Sequence, residues 1–281
     1  MATERREGIT VVIPVWGSYV GRWLDDAVAS VRDQNTSCVV VVVDNANHPP
    51  LKPPAGTVVI RSERPLSLGA ARNLGLEAVE TDLTISADAD DVLLPGSLDA
   101  LEGEMRANPG LAACAARIVE HDSRSPHHWP RPITARLSDR PWLFSALNVV
   151  SSLYPTTATA VRTELALDAG GFPDVDGGDD WVLGVSIAFR GRVRILDRPV
   201  RCYRIHPDSL SSGWRARPDI VEHARAVRTR LRDDPGVPRW AKAAIPAFAV
   251  LQHLVLLVVR PISRALSGRS QSGTGRRKEH A

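Results

Sequence analysis

The segment Asp88-Ala-Asp90-Asp91 places three carboxylates within four residues. Like charges this close repel one another, and a hard divalent cation bound through carboxylate oxygens would relieve that repulsion. Mg²⁺ bound in this way usually keeps phosphate oxygens as further ligands. The motif therefore indicates a site for a divalent cation and a phosphate-bearing ligand. The alternative is a turn with solvated aspartates, in which Asp91 starts a helix.

A second acidic pair and a basic segment could complete such a site. Asp179 and Asp180 follow Gly178 and begin a helical pattern. Helix capping is the ordinary reason for carboxylates there, but a carboxylate near a metal-held diphosphate could instead take the proton of an attacking hydroxyl. Tyr203-Arg-Ile-His206 adds a guanidinium suited to diphosphate and an imidazole suited to Mn²⁺, although a lone histidine is more often structural.

The first 120 residues alternate between apolar runs rich in β-branched residues and segments with helical spacing. This alternation predicts strands at 9–15, 38–43, 57–60 and 83–86, and helices at 20–34, 68–78 (capped by Ser67) and 95–108. Because the strands are continuously apolar, they predict a parallel sheet covered on both faces. Ligands bind outside the carboxyl ends of such strands, and Asp44 and residues 88–91 follow two of those ends.

The rest of the sequence is less regular. Residues 121–142 are rich in His, Pro, Arg and Ser and predict a long loop over the sheet, of the kind that often acts as a functional lid. Apolar spacing then predicts helices at 163–170, 181–190 and 219–232 and a strand at 193–196. Residues 267–281, rich in Gly, Ser and Arg, predict a disordered tail.

Composition excludes several classes of protein. A hydrophobic fraction of 43% over 281 residues supports a sizeable core, which excludes a largely disordered chain. Cys38, Cys114 and Cys202 form no close pair, so we expect neither a disulfide framework nor a cysteine zinc site, and a reducing compartment fits. The N-terminus has no signal-peptide pattern, and we expect a cytoplasmic protein.

The C-terminal quarter is strongly basic. From Ser211 onward there are 14 Lys and Arg against 5 Asp and Glu, a net charge of +9, whereas the whole chain carries +3. The basic tail has no interleaved aromatic residues, so we expect no nucleic-acid partner.

The same quarter contains the most apolar run of the chain, residues 243–259. Only 13 uninterrupted residues follow Pro246, fewer than the about 20 that span a bilayer. Because Arg260 and Arg264 follow, residues 243–266 predict a peripheral contact with the inner face of an anionic membrane. The alternatives are a helix docked on the body of the protein and a homodimer contact.

Six segments between residues 9 and 210 follow one another in the order found in a known enzyme family. They are Val11-Val-Ile-Pro-Val15, Val41-Val-Val-Asp44-Asn, Ser67-Leu-Gly-Ala-Ala-Arg-Asn-Leu-Gly75, Asp88-Ala-Asp-Asp-Val-Leu-Leu-Pro95, Gly170-Gly-Phe172 with Asp179-Asp-Trp181, and Tyr203-Arg-Ile-His206. This part of the chain resembles the catalytic domain of the inverting, family-two glycosyltransferases of GT-A fold.

The resemblance implies an α/β, GT-A (Rossmann-like) fold, in which a mixed, mostly parallel sheet has helices on both faces. It implies a catalytic domain at 1–210, a helical C-terminal extension at 211–266 and a disordered basic tail at 267–281.

The implied activity is that of a hexosyltransferase-type enzyme of polysaccharide or glycoconjugate synthesis. It would move a sugar from a nucleoside-diphosphate donor to a sugar, lipid-linked or other hydroxyl acceptor, with inversion and with Mn²⁺ or Mg²⁺. The alternative is a catalytically inert sugar-nucleotide-binding or scaffold subunit of the same fold. That alternative predicts the loss of Asp90, Asp180 or His206, and all three are present.

The resemblance also implies roles for residues on the nucleotide side. Pro14 and Asp44 would line the nucleobase pocket, with Asp44 accepting a hydrogen bond from the base, and Arg72 is a further candidate there. Asp88 would contact the ribose or the metal. The second strand ends Asp44-Asn-Ala-Asn instead of the usual Asp-Asp-Gly-Ser, which leaves the identity of the base open.

On the metal and acceptor side, the resemblance implies that Asp90 binds the cation and that His206 is its other protein ligand. Asp180 would be the catalytic base beside the acceptor. The acidic pair is Asp179-Asp180 instead of the usual Glu-Asp, so Asp179 is the other candidate for the base.

Other nucleotide-binding enzymes are excluded by motifs that the sequence lacks. No G-x-G-x-x-G follows the first strand and no G-x-x-x-x-G-K-[ST] occurs, which excludes a dinucleotide-dependent dehydrogenase and a P-loop kinase or ATPase. Pro14-Val-Trp-Gly17 is not similar to the Gly-rich phosphate loop that opens the sugar nucleotidyltransferases.

Overall fold

The computed structural model describes residues 5–120, 130, 132–204, 206 and 220–255. The strands are β1 (Arg6–Val15), β2 (Cys38–Asn45), β3 (Val58–Ser62), β4 (Thr81–Ser86), β5 (Val92–Leu93), β6 (Leu111–Glu120), β7 (Ala160–Arg162) and β8 (Arg192–Tyr203). The helices are α1 (Arg22–Arg32), α2 (Leu68–Glu77), α3 (Ser97–Ala107), α4 (Pro132–Leu137), α5 (Pro141–Val150), α6 (Thr163–Asp168), α7 (Asp179–Arg190), α8 (Ile220–Asp233), α9 (Arg239–Ala243) and α10 (Ile245–Leu254). A 3₁₀ turn at Gly17–Tyr19 precedes α1.

These strands form a mixed, mostly parallel sheet in the order β3-β2-β1-β4-β7-β6-β8-β5. Strands β3, β2, β1 and β4 are parallel, as the continuously apolar runs predict. Beyond them β7 runs antiparallel to both β4 and β6, β8 runs parallel to β6, and β5 runs antiparallel to β8. The predicted α/β fold is confirmed.

Helices cover both faces of the parallel half because successive strand residues point to opposite sides. Val11 and Ile13 of β1 lie in the same apolar cluster as residues of α1 and α3. Val12, between them, packs with Ala71 of α2 on the other face. Both faces of β1 are therefore buried, which explains why its sequence is continuously apolar.

The pairing of the strands brings the predicted motifs to one edge of the sheet. Val15 of β1 lies opposite Asp44 of β2. Strand β5, which follows the 88–91 turn, pairs Val92 with Cys202 near the end of β8. The turn with three aspartates therefore lies beside the segment that ends at His206.

The predicted loop at 121–142 is wrong in the part that the structure describes. Residues 132–137 form α4 and residues 141–150 form α5, which starts with Pro141 in its first turn and buries Phe144 and Val149. Residues 121–129 of that prediction lie outside the described residues. Strand β8 is also longer than the predicted 193–196, because its polar half pairs with β6 and β5.

The predicted amphipathic helix at 219–232 corresponds to α8. Its Ala224, Val227 and Leu231 are buried in one cluster with residues of α5 and α7, and the same cluster includes Ala241 of α9 and Phe248 of α10. The described part of the C-terminal extension is therefore helical and packed on the body of the protein. The boundary at 210/211, the arginines at 260 and 264 and the tail at 267–281 lie outside the described residues.

Helix α10 has one buried and one exposed side. The buried Gln252 donates a hydrogen bond to the Val149 carbonyl oxygen (2.7 Å). The exposed side, called here the α10 face, consists of Val250, Leu251 and Leu254, which are 61%, 46% and 51% exposed. Among the described residues, none of the helices has the length and apolar character needed to cross a membrane.

Candidate active site

Helix α2 carries Arg72 into the centre of the site. Ser67 caps the helix by accepting a hydrogen bond from the Ala70 amide (3.1 Å), as predicted. Gly75 lets the helix lie directly on the sheet, because a Cβ there would overlap the Val12 side chain. The Arg72 side chain is consequently buried beneath the carboxyl ends of the strands.

Arg72 joins two of the acidic motifs. Its guanidinium donates hydrogen bonds to Asp88 (2.5 Å) and to Asp179, and it lies 5.4 Å from the centre of the Phe172 ring. Arg201 of β8 donates to the other oxygen of Asp88 (3.0 Å). Burial alone would raise the pKa of Asp88, but Arg72 and Arg201 outweigh it and hold that pKa below its usual range. Arg72 thus lies between Asp88 and Asp179, and Arg201 is a site residue that the sequence analysis missed.

The neighbour of Arg72 fixes the loop that leads to the aspartate pair. The Asn73 side chain donates to the Phe172 carbonyl oxygen and accepts from the Phe172 amide, both at 2.8 Å. Gly171 has φ 63° and faces Asn73 so closely that a Cβ would overlap the amide group. Residues 67–75 and 170–172, two of the six segments that carry the resemblance, are therefore hydrogen-bonded to each other.

The two aspartates at the start of α7 have different surroundings. Asp179 is buried and bound to Arg72. Asp180 is half-buried, and its carboxylate accepts a hydrogen bond from the Trp181 amide (2.7 Å). Burial, followed by the negative charge of Asp179, raises the pKa of Asp180 to about 6. A carboxyl group with that pKa can be ionised and still accept a proton near neutral pH.

Asp90 and His206 meet at the end of β8. The His206 Nε2 atom lies 3.0 Å from the Asp90 Oδ2 atom. The imidazole stacks on Trp23 of α1, with ring centres 4.7 Å apart and planes at 21°, and it meets the Tyr19 ring edge-on at 5.7 Å. Burial, followed by the charge of Asp88, raises the pKa of Asp90.

This pair fits two ligands of one divalent cation. Two donors about 2.1 Å from an octahedral cation lie about 3.0 Å apart when they are adjacent. The other ring nitrogen of His206, Nδ1, is buried with no hydrogen-bond partner among the described residues. No group of three or more His, Cys, Asp or Glu side chains with metal-binding geometry occurs in the described residues. A cation here would therefore need oxygens of a ligand such as a diphosphate.

The third aspartate of the motif and the arginine before His206 have anchoring contacts. Asp91 is buried 3.0 Å from Arg201, and burial raises its pKa to about 8 against the opposing effect of that arginine. Arg204, whose guanidinium the sequence suggested for a diphosphate, donates to Asp26 (2.8 Å) and lies 4.5 Å from the Trp23 ring centre. The Asp91–Arg201 pair attaches the 88–91 turn to β8, and the contacts of Arg204 attach the end of β8 to α1.

A cavity of about 1020 Å³ lies at the carboxyl ends of β1 and β2. Its wall includes Trp16 and the loop at 45–52. Pro14 is buried within β1, and neither it nor Asp44 is among the lining residues. Asp44 lies behind the loop, with its carboxylate bound to Arg61 (2.6 Å) of β3, a second arginine that the sequence analysis missed.

Residues 10–164 match the model of a protein family described as "Glycosyl transferase family 2", which is more than half of the chain. The chain belongs to glycosyl transferase family 2. Asp44, Arg72, Asp88 and Asp90 lie within the matched range, and the segment with Asp179 and Asp180 lies beyond it. No curated protein matches the sequence.

Solved structures with bound nucleotide sugars share the fold of this family member. Residues 1–349 of S. aureus TarS, in complex with UDP-GlcNAc, superpose with a TM-score of 0.65 at 16% identity, over 88% of this chain and 72% of that one. The mannosyltransferase PcManGT from Pyrobaculum calidifontis, in complex with GDP-Man and Mn²⁺, superposes with a TM-score of 0.58 at 18% identity, over 96% and 81% of the chains. At these identities the likeness establishes the GT-A fold.

Proposed function

We propose that this protein transfers a hexose from a nucleoside-diphosphate donor to an acceptor hydroxyl, with inversion at the anomeric carbon. The observation that carries the proposal is the arrangement around Arg72, which links Asp88, next to the Asp90–His206 pair, with the Asp179–Asp180 pair. The end with Asp88 and the Asp90–His206 pair suits a metal-held diphosphate. The end with Asp179 and Asp180 suits an acceptor hydroxyl. The bound UDP-GlcNAc and GDP-Man of the two superposed enzymes support the donor class.

Asp90 and His206 would hold a divalent cation, Mn²⁺ or Mg²⁺. When bound, the cation would neutralise the negative charge that develops on the departing diphosphate. Trp23 keeps the His206 ring in place by stacking on it, and Arg204 keeps Trp23 and the end of β8 together. The Mn²⁺ in the PcManGT complex supports this choice of cofactor.

Asp180 is the proposed base. Its carboxylate would take the proton of the acceptor hydroxyl while the oxygen attacks the anomeric carbon on the face opposite the diphosphate. One displacement of this kind inverts the configuration. Asp179 is the weaker candidate, because it is buried and its charge is already paired with Arg72.

The nucleotide would occupy the cavity at the ends of β1 and β2. Pro14 of β1 and Asp44 of β2 lie at the ends of those strands, where Asp44 would accept a hydrogen bond from the base, and Asp88 would contact the ribose or the metal. Arg72 would then act by fixing Asp88 and Asp179 in place. A non-catalytic subunit is the second candidate, and the retention of Asp90, Asp180 and His206 in one connected site disfavours it.

We further propose that the enzyme works at the cytoplasmic face of a membrane, where a lipid-linked acceptor could be presented. The α10 face supplies apolar surface, and the basic residues that follow it in the sequence suit anionic lipid. A homodimer through the same surface is the competing arrangement.

The decisive experiment screens nucleotide sugars with acceptor alcohols in the presence of Mn²⁺ and determines the anomeric configuration of the product by NMR. An inverted product that requires Asp180, tested with Asp180→Asn, supports the proposal. The control is Asp33→Asn, which removes an exposed carboxylate at the end of α1. A product of retained configuration, or full activity of Asp180→Asn, contradicts it.

A further inference from the structure

Ser86, the last residue of β4, is a polar residue at a core position. It lies opposite Val12 of β1, and the side chains of paired residues on neighbouring strands point to the same face of the sheet. Val12 packs with Ala71 on the side of the sheet that α2 covers. The Ser86 hydroxyl is therefore placed beneath α2, the helix that carries Arg72.

Two buried polar atoms at this place have no hydrogen-bond partner among the described residues. They are the hydroxyl oxygen of Ser86 and the Nε atom of Arg72. The other two nitrogens of the Arg72 guanidinium are bound to Asp88 and Asp179. Buried polar atoms are nearly always hydrogen-bonded, and an unpaired N–H of a charged group is more costly than one of a neutral group. Both atoms therefore require a partner that the described part of the chain does not supply.

Arg72 and Ser86 line the same small cavity, which has a volume of about 20 Å³. Thr84 and Thr156 are its other polar lining residues. The rest of its wall consists of buried apolar side chains, those of Val12, Leu76, Val161, Ala166, Phe172 and Leu183. One water needs about 10–15 Å³ and two to four polar partners, whereas purely apolar cavities stay dry. The cavity thus has the room and the polar groups to bind one water.

Thr156 connects this cavity to the proposed base. Its hydroxyl donates to the main-chain carbonyl oxygen of Asp180 (2.9 Å), and its oxygen can still accept a hydrogen bond. A water that accepts from the Arg72 Nε–H group can donate one proton to the Thr156 oxygen and the other to the Ser86 oxygen. Three hydrogen bonds are typical of a buried water. Such a water joins Arg72 both to β4 and to the main chain at the start of α7.

We propose that one internal water occupies this cavity, bound by Arg72, Ser86 and Thr156, and that Ser86 acts through it as a positioning residue for the active site. The inference rests on the proposed function, because it gives the Arg72 network a role in sugar transfer. The water binds the third nitrogen of the guanidinium, so that the side chain cannot turn away from Asp88 and Asp179. Arg72 thereby keeps its place relative to Asp180.

The first test detects the water in the full chain by NMR, through the Nε–H signal of Arg72. A long-lived water beside this proton should give a cross-relaxation peak at the water frequency, which a rotating-frame experiment distinguishes from chemical exchange by its sign. Ser86→Val, which replaces the hydroxyl and fills the cavity with methyl groups, should remove the peak. Absence of the peak in the wild type, or its persistence in Ser86→Val, would overturn the inference.

The second test compares sugar transfer by two variants of Ser86. Ser86→Val should lower kcat about tenfold and change KM for the nucleotide sugar less than about twofold, because Arg72 is misplaced while the Asp90–His206 pair is intact. Ser86→Ala leaves the space and two partners of the water, so it should lower kcat only about threefold or less. Equal losses in the two variants would mean that the hydroxyl acts without the water, and the inference would be wrong.

The pH profile distinguishes positioning from a general loss of stability. Burial, with Asp179, raises the pKa of Asp180, and the positive charge of Arg72 opposes that rise. If Arg72 moves away in Ser86→Val, the acid limb of the kcat/KM profile for the acceptor should shift to higher pH.

The matched control is Ser145→Ala, which removes a buried hydroxyl bound to the Ala188 carbonyl oxygen, at the end of α7 farthest from Asp180. It should leave kcat and the pH profile unchanged. A Ser86→Val variant with the kcat and the profile of the wild type would overturn the positioning role.

This inference and the proposed function fail in different ways. If no nucleotide sugar supports transfer, the proposed function is overturned, whereas the Arg72 signal still decides whether the water is bound. If transfer occurs and the water peak is absent, only the inference about Ser86 is refuted.

Discussion

Replacing Asp180 by asparagine should change activity and stability in opposite directions. Asparagine resembles the neutral carboxyl group in size but cannot accept the proton of the acceptor, so the chemical step should slow by about 10²-fold or more. The native carboxylate is destabilising above its pKa, because burial and Asp179 raise that pKa from 3.8 to about 6. At about 1.4 kcal/mol per pH unit, the variant should gain up to about 3 kcal/mol in free energy of unfolding at pH 8, less the part that partial exposure screens.

The sign of the pH dependence follows from the same shift. A carboxyl group whose pKa is raised in the folded state favours folding when it is protonated. Ionisation of Asp180 therefore lowers the free energy of unfolding of the wild type as pH rises from about 4 to 6. The stability gain of Asp180→Asn should therefore be absent at pH 3.5 and complete above pH 7. Activity runs the other way, since only the ionised form is a base. The ratio kcat/KM for the acceptor should fall about tenfold between pH 6.5 and pH 5, whereas an aspartate of ordinary pKa, about 3.9, would leave it nearly flat.

Urea denaturation at pH 3.5, 6 and 8 and the pH profile of kcat/KM test both halves of this prediction. Asp179→Asn is the matched control: it removes one of the two carboxylates that pair with the buried Arg72, so it should destabilise the fold, by less than the about 3–5 kcal/mol of a lone buried pair because Asp88 remains bound to Arg72. A kcat/KM profile that is flat from pH 5 to pH 7, together with an Asp180→Asn variant no more stable than the wild type at pH 8, would refute the reasoning.

Three further predictions concern the Asp90–His206 pair, the contact between Asn73 and Gly171, and the α10 face. A chelator should abolish activity and Mn²⁺ should restore it. Asp90→Ala should weaken Mn²⁺ binding, measured by calorimetry, at least about tenfold while the far-UV circular dichroism spectrum stays unchanged. Full activity in the presence of chelator would contradict the metal role. Gly171→Ala should lower the free energy of unfolding by about 1–3 kcal/mol, because the new Cβ would overlap Asn73 and the backbone φ at this position is 63°. The control, Gly103→Ala, lies in open space on α3 and should raise the free energy of unfolding by about 0.5–1 kcal/mol. Equal urea midpoints for the two variants would disprove this account. Replacing the three residues of the α10 face by glutamine should weaken co-sedimentation with anionic vesicles about a hundredfold, at about 1 kcal/mol for each side chain, and negligible binding of the wild type at low salt would exclude the membrane contact.

The parallel half of the sheet could be predicted from sequence because β1, β2 and β4 are buried on both faces for most of their length. Runs such as residues 38–43 are valine-rich, and the structure extends them by only a few residues. Strand β6 is also buried on both faces, but it was missed because Leu-Ala-Ala-Cys-Ala-Ala is poor in β-branched residues. Its place in the sheet comes from pairing with β7 and β8, which local sequence does not encode.

The features of the site also divide into those that local sequence reveals and those that only the folded structure shows. The aspartates could be found because they follow strand ends or begin a helix, which are local features. Their ion pairs could not be predicted, because Arg72 and Asp179 are 107 residues apart and Arg201 and Asp88 are 113 apart. Arg72 was named only for the nucleobase pocket, and Arg201 was not named. Arginine occurs throughout the chain, so only the folded arrangement distinguishes these two from the rest. Which of Asp179 and Asp180 carries a free charge depends on that arrangement as well.

The contact between α8 and the loop before α7 limits how this enzyme could be re-engineered. Gly178 has φ 70°, and a side chain there would overlap the ring of His223 on α8. Helix α8 thus contacts Gly178, the residue immediately before the Asp179–Asp180 pair. A chimera that takes its C-terminal helices from another family member would have to take residues 173–181 from the same donor, because the two surfaces are shaped for each other. The position of the Asp179–Asp180 pair is in this sense tied to the C-terminal helices.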